Sequence, residues 1–190
     1  MARWDPGAEQ RLRKAALELF AAHGYDNVTV NQIAEHAGLT RRSYFRYFPD
    51  KREVLFAGSE RLPAAVAEAI RAVDPAVAPW PAVLAAVTDI GERLAEIAED
   101  SVVRRSVIDA SVELQERERT KLASVTAAIQ EGLEERGTES GSAALVAQVA
   151  TVVFQRAFAE WVDADRQQTF TSCLDGVVAS LRGELFELDD

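Results

Sequence analysis

The chain has 190 residues and a net charge of −10, with 48% apolar and 27% charged side chains, a balance that excludes a disordered chain. Its single cysteine, Cys173, excludes an internal disulfide and a structural zinc cluster. No uninterrupted apolar run reaches the roughly eighteen residues of a membrane span, and residues 1–10 hold charges and Pro6 rather than a secretory signal, so a cytoplasmic protein is expected.

Apolar residues recur at helical spacing, and few glycines and prolines interrupt them. A first helix is predicted over 8–23, with Leu12, Ala16, Leu19 and Phe20 on one face and Gly24 as its stop. Thr29 followed three residues on by Gln32 is a capping box. It opens a short helix to Ala37 that buries Val30, Ile33, Ala34 and Ala37, closed by Gly38. Thr40 offers a hydroxyl cap to a third short helix through Tyr47, which Pro49 stops. Asp50, with Glu53 three on, is expected to start a fourth helix running to about Val73. Such a helix would span on the order of 35 Å, enough to leave one domain and enter another.

Beyond Pro75, Pro79 and Pro81 a helix is predicted to about Asp100, with Val83, Val87, Ile90, Leu94 and Ile97 in register. Helical spacing resumes over 102–136, bent near Asp109–Ser111, and residues 137–142 read as a loop. The stretch 143–162 is apolar nearly all round, as in a helix buried on more than one side. The last helix, 170–186, sets Phe170, Leu174, Val177, Leu181 and Leu185 on one face and the small residues Ser172, Gly176, Ala179 and Gly183 on another. About nine helices and no strand make an all-α protein, divided into an N-terminal three-helix domain over 1–56 and a larger helical domain over 57–190.

Charge separates the same two parts. Residues 1–57 carry nine Lys/Arg against seven Asp/Glu, and the remainder twelve against twenty-four. Only the N-terminal third is therefore suited to approach a polyanion. Helix, tight turn at Gly38, helix is a helix-turn-helix arrangement. Its second helix, Thr40-Arg41-Arg42-Ser43-Tyr44-Phe45-Arg46-Tyr47, opens with free backbone N–H groups, a hydroxyl and two guanidinium groups. Those groups bond phosphate oxygens and guanine edges, and the major groove of DNA admits one helix. The alternative is a solvated basic turn on an ordinary helical hairpin.

The stretch from Val28 to Lys51, with Ile33-Ala34-Glu35-His36-Ala37-Gly38 followed by an aromatic-rich helix and Phe48-Pro49-Asp50-Lys51, resembles the TetR family of bacterial transcriptional regulators. So does the preceding Ala15 to Tyr25, and the likeness covers about residues 8–56. The resemblance implies a homodimeric repressor whose recognition helices read successive major grooves of a palindromic double-stranded DNA operator. It implies base contacts from Arg41, Arg42 and Ser43 and phosphate contacts from Thr29, Tyr47 and Lys51, and Thr40 and Phe45 are counted with them as candidate DNA-binding residues. The family usually has tyrosine where this chain has Phe45, which puts a phosphate hydrogen bond from that ring in doubt. Tyr44 falls where the family is apolar and inward-facing, and Phe48 reads as core.

The resemblance further implies that 57–190 binds a small-molecule effector and forms the dimer. Candidate pocket residues are Trp80, Leu84, Val87, Arg104, Arg105, Ile108, Val112, Gln155, Phe158 and Trp161, with packing or exposure as the alternative for each. Phe45-Arg46-Tyr47-Phe48, with Arg156 to Trp161, is similar to the mycofactocin-linked branch, where hydrophobic, acyl-CoA-like effectors are expected. Arg156, in an apolar helix, would need a carboxylate such as Asp109 or Glu113, or an anionic ligand. Ser172, Gly176, Ala179 and Gly183 are the candidate dimer seam, in a four-helix bundle of the last two helices with their partner copies.

No catalytic residue, metal site or cofactor is read. Cys173 would want a histidine base, yet His23 and His36 both belong to the N-terminal part. Asp163, Asp165 and Arg166 read as a loop, and the carboxylates of 92–135 as a solvated face. The rival to a ligand-responsive regulator is a ligand-independent DNA-binding or protein-interaction module, and activation rather than repression stays open.

Overall fold

A computed structural model describes residues 7–97, 100–164 and 167–186. The sequence predicts a loop through Asp165 and Arg166, which lie outside the described residues, as do residues 1–6. Among the described residues nine α-helices follow in chain order: α1 (Ala8–His23), α2 (Val30–His36), α3 (Arg41–Tyr47), α4 (Leu62–Ala72), α5 (Pro79–Ile97), α6 (Ser101–Asp109), α7 (Val112–Glu135), α8 (Ser140–Asp163) and α9 (Phe170–Phe186). The described residues contain no strand.

The long fourth helix does not form. Asp50 does cap, its Oδ1 accepting from the backbone N–H groups of Arg52 and Glu53 at 3.0 and 3.1 Å, but the turn it opens is 3-10 and closes at Leu55. Val54, Leu55 and Phe56 turn into the core, Gly58 takes φ +83°, and a second 3-10 turn, Ser59–Arg61, precedes α4. Pro63 is the physical reason for the late start. Inside a helix from Asp50 its ring would clash and a hydrogen bond would be lost, whereas in the first turn of α4 neither cost arises. The expected bend near Asp109–Ser111 is a full break between α6 and α7.

The chain divides into two compact units. One takes the described residues through Glu60 together with Asp100–Thr120; the other takes those of 61–99 and 121–190. The segment 100–120, which the sequence groups with the C-terminal part, thus packs in the first unit. That unit's core joins Leu12, Ala16 and Phe20 of α1, Ile33 and Ala34 of α2, Tyr44 and Phe48, and Val107, Ile108 and Leu114.

The second unit is built on close helix approach. Gly91 of α5 lies under Phe170 of α9, where a Cβ would stand 2.0 Å from the ring. Gly132 of α7 does the same for the backbone of α4, at 3.3 Å from the Ala67 carbonyl oxygen. Ala143, Ala147, Ala150 and Ala157 form the buried stripe of α8. By length and composition α8 is apolar enough to cross a membrane, which qualifies the sequence-based exclusion of a span; its inner face is spent in this core. Arg136 holds the end of α4, its guanidinium donating to the carbonyls of Ile70, Val73, Asp74 and Val77.

Candidate nucleic-acid interface

The turn between α2 and α3 is fixed by backbone geometry. Gly38 sits at φ +69°, a conformation that favours glycine, while its N–H donates to Glu35 O at 3.0 Å and that of Leu39 to Ala34 O at 2.8 Å. Both caps form as the sequence predicts. Thr29 Oγ1 accepts from Gln32 N at 3.3 Å, and Gln32 Oε1 accepts from Thr29 N at 2.8 Å, completing the capping box. Thr40 Oγ1 accepts from Ser43 N at 3.1 Å. The Thr29 hydroxyl also donates to Gln32 Oε1 at 2.8 Å, so a phosphate would have to draw that proton away from Gln32.

Helix α3 has two unlike faces. Inward, Tyr44 is 0% exposed and its hydroxyl donates to the carbonyls of Asp50 and Lys51, both at 3.2 Å; Phe48 is buried beside it. Burial, and then the Asp50 and Glu53 carboxylates, hold the Tyr44 hydroxyl above the usual tyrosine range. Its oxygen is thereby committed to the protein's own backbone. Outward lie Arg41, Arg42, Phe45 and Arg46, with Ser43 and Tyr47 half-buried at the margins. The Arg41 guanidinium stands 5.5 Å above the Phe45 ring, and Arg46 stands 4.9 Å above Tyr47 while donating to its hydroxyl at 3.0 Å.

Lys51 is half-buried rather than freely solvated. Its ammonium donates to Tyr25 O at 2.8 Å and lies 3.9 Å from the centre of the Tyr25 ring. Two of its three N–H groups are left for an anion on geometric grounds. Tyr25 in turn donates its hydroxyl to Glu113 Oε1 at 2.9 Å, and burial followed by that bond holds its proton above the usual tyrosine range. Arg117 makes a two-pronged bond to Glu53, 2.6 and 3.0 Å, which raises the guanidinium's affinity for its proton. Arg104 donates to Leu55 O at 3.0 Å, and burial lowers its affinity for the proton. Arg104 and Arg117 both lie against Phe56, at 5.3 and 4.9 Å from its ring centre. The pairings of Glu53, Arg104, Glu113 and Arg117 escape sequence reasoning, because the partners lie 49 to 88 residues apart along the chain.

The candidate effector residues are divided between the units. Val87 and Trp161 lie in the core of the second, with Trp80, Leu84 and Phe158 partly buried against it. Phe154, Phe158, Trp161 and Phe170 form a continuous aromatic cluster there, with centroid separations of 5.2 to 6.4 Å. Ile108 is core in the first unit, Arg105 pairs with Asp109 at 3.6 Å, and Val112 is 71% exposed. Gln155 is exposed. Arg156 is not the buried charge the sequence suggests. It is exposed and bonds Glu160, one turn on, at 2.8 Å, so neither Asp109 nor Glu113 is its partner. Ser172, Gly176, Ala179 and Gly183 line the outer side of α9, all exposed. Among the described residues no cluster of three or more His, Cys, Asp or Glu side chains could hold a metal ion.

A short helix anchored by its inner aromatic face, displaying three arginines from a glycine turn, defines a DNA-binding protein of the helix-turn-helix class. Residues 12–57, about a quarter of the chain, match the model of the bacterial regulatory proteins of the tetR family, so the chain carries a DNA-binding segment of the TetR type. The regulator MftR of Mycobacterium tuberculosis (strain ATCC 25618 / H37Rv), named for mycofactocin biosynthesis, is 51% identical over 39 residues, 20% of each chain. The chain spans only a fifth to about a third of the length of the curated relatives it matches. Solved structures are alike over nearly the whole chain. NalD, the secondary repressor of the MexAB-OprM multidrug efflux pump in Pseudomonas aeruginosa, superposes with a TM-score of 0.65 at 16% identity, covering 93% of this chain and 96% of that one. FadR from Bacillus subtilis, in complex with stearoyl-CoA, gives 0.62 at 19%, covering 90% and 95%. At those identities the likeness is one of fold.

Proposed function

We propose that this regulator is a ligand-responsive repressor, binding a palindromic operator as a homodimer and released by a small hydrophobic effector. One observation carries the reading: α3 turns Arg41, Arg42 and Arg46 outward while Tyr44 and Phe48 fix its inner face in the core. Arg41, Arg42 and Ser43 reach base edges; Thr29, Tyr47 and Lys51 hold phosphates; Thr40 fixes the helix start. The outer faces of α8 and α9 supply the dimer seam. Leu145, Val152 and Leu185 are exposed there, and a Cβ at Gly176 or Gly183 would meet nothing within 4 Å, leaving room for a close partner helix. The effector is taken up by the second unit around Leu84, Val87, Phe158 and Trp161, whose apolar packing can re-form about a ligand. No enzymatic step is involved, and the protein acts in the cytoplasm.

Paired recognition helices must match half-sites about 34–36 Å apart, so a ligand that favours a different spacing weakens docking. A differential affinity of about 1–3 kcal/mol lowers operator affinity roughly 5- to 150-fold. The experiment is selection of duplexes from random DNA, followed by titration of the best duplex with a panel of hydrophobic compounds. Long-chain acyl-CoA goes first, because the similar FadR is described with stearoyl-CoA. Enrichment of an inverted repeat and its release by one class of compound is expected. Failure to enrich any duplex overturns the DNA reading, and operator affinity indifferent to every compound leaves a ligand-independent DNA-binding module. For the dimer, Gly176→Leu is expected to shift sedimentation towards monomer, and an unchanged tight dimer counts against this seam.

A further inference from the structure

The outer face of α3 is cationic except at its centre. Arg41, Arg42 and Arg46 are all exposed, and between them stands Phe45, 44% exposed. The ring is steadied from two sides. It meets Tyr44 edge-on, with centroids 5.6 Å apart and planes at 80°, while the Arg41 guanidinium covers it one turn earlier. Thr29, Val30 and Asn31 at the start of α2 join Arg41 and Phe45 around an open groove of about 320 Å³. A valine, a phenyl ring and a threonine methyl give that groove a largely carbon lining.

A phenyl ring has no atom that bonds phosphate, and the neighbouring Tyr44 hydroxyl is turned inward to the carbonyls of Asp50 and Lys51. What Phe45 can recognise in a major groove is apolar. Of the groups that base pairs present there, the apolar one is the C5-methyl of thymine. We propose that Phe45 is a specificity-determining residue that reads a thymine C5-methyl in each operator half-site, with Val30 and the Thr29 methyl completing the wall around it. The proposal rests on the reading of α3 as the operator-facing helix. Because Arg41 lies across the same ring, the thymine stands next to the base that Arg41 contacts.

Uracil in place of thymine deletes the methyl and keeps every hydrogen-bonding group, so it isolates this contact. Full-length protein is titrated with a selected operator in which each half-site thymine is replaced singly by uracil. One position per half-site is expected to lose about fourfold in affinity in the wild type. In Phe45→Ala the same replacement is expected to cost less than twofold, and in Phe45→Leu an intermediate amount. Unchanged melting temperatures for both variants show that an exposed ring was removed without unfolding the unit. The inference is overturned if no uracil replacement matters in the wild type, or if Phe45→Ala is as sensitive as the wild type. The two readings fail separately: without an enriched duplex the operator reading falls and takes this one with it, whereas an enriched duplex blind to uracil sinks only the methyl contact.

Discussion

Each of the two units is held together internally by its own kind of contact. In the first, long polar side chains tie loops to fixed points: Lys51 to the Tyr25 carbonyl, Tyr44 to those of Asp50 and Lys51, Arg104 to that of Leu55, Tyr25 to Glu113 and Arg117 to Glu53. Each bond has a required direction, so together they admit one arrangement of α3 relative to its supports. The second has the Arg136 fork, the Glu92–Thr171 and Thr126–Thr151 bonds and the Arg71–Glu135 pair, but its core is valine, isoleucine, leucine, alanine and aromatic rings in van der Waals contact, closest at Gly91 and Gly132. Such packing has no preferred direction and tolerates rearrangement at constant volume. The proposed DNA-facing surface needs a fixed geometry and the proposed effector site an adaptable one, and the difference in contact types is consistent with both proposals.

The sharpest break of this comparison is at Gly91. A methyl there overlaps the Phe170 ring, so Gly91→Val is expected to destabilise the second unit by about 3 kcal/mol, seen as a lowered melting temperature. Gly176→Ala adds a Cβ that meets nothing within 4 Å in its own chain, so a loss there reports on the proposed dimer seam and not on packing within this unit. If Gly91→Val melts like the wild type, the second unit yields even to a ring displacement, and close packing is not what holds it. In the first unit, Arg41→Ala is expected to lose about 1–3 kcal/mol of operator affinity with relaxed base choice at one position and no change in melting temperature. Arg117→Ala is expected to do the reverse, costing about 1–2 kcal/mol of stability through the severed bond to half-buried Glu53, measured by urea unfolding.

Lys51→Ala refines the picture further. A lysine that only touches phosphate affects affinity and the salt slope alike, whereas this one also caps Tyr25. The variant is therefore expected to flatten the salt dependence of binding by about one unit and to lower stability as well. A lower melting temperature with an unchanged salt slope assigns Lys51 to the tie alone.

What the sequence makes legible follows the range of the interactions. The capping box at Thr29, the Thr40 cap, the Gly38 turn and the inward Phe48 are set by residues within a few positions of one another, and the structure has them all. The long fourth helix is a local error as well: Pro63 marks the start of a helix, yet the apolar spacing on either side masks it. The grouping of 100–120 with the first unit is of another kind. Val107, Ile108 and Leu114 look like any helical core residues, and nothing local to them specifies packing with α1 and the 52–55 turn rather than with α5. Arg156 shows the same blindness to direction, since its apolar neighbours are buried on the far side of α8 while it faces solvent beside Glu160.

The smallest expected effects separate the units by pH. The tyrosines, 25, 44 and 47, all belong to the first unit, and Tyr25 and Tyr44 hold their protons above the usual range, chiefly through burial. A phenol whose proton is held more tightly in the fold contributes stability that is complete below the ordinary tyrosine value near ~10 and lost as pH rises beyond it. The carboxylates of the second unit behave in the opposite sense. Hydrogen bonds from the Thr171 hydroxyl and N–H lower Glu92, those from Gln130 and Ser140 lower Glu134, and the N–H groups of Gly141 and Ser142 lower Glu139. Their contribution is complete above the ordinary carboxylate range and is lost as pH falls through the lowered values. The second unit also holds Cys173, whose thiol burial pushes up, so alkali weakens it by one group where the first unit has two. Hydrogen exchange followed by mass spectrometry is expected to show α8 and α9 losing protection first in acid, and α1 to α3 first in alkali. Glu92→Gln should blunt the acid loss at α9, and Tyr44→Phe the alkaline loss at α3. Simultaneous loss of protection in both units at both extremes would mean that they unfold as one cooperative body, whatever the difference in their bonding.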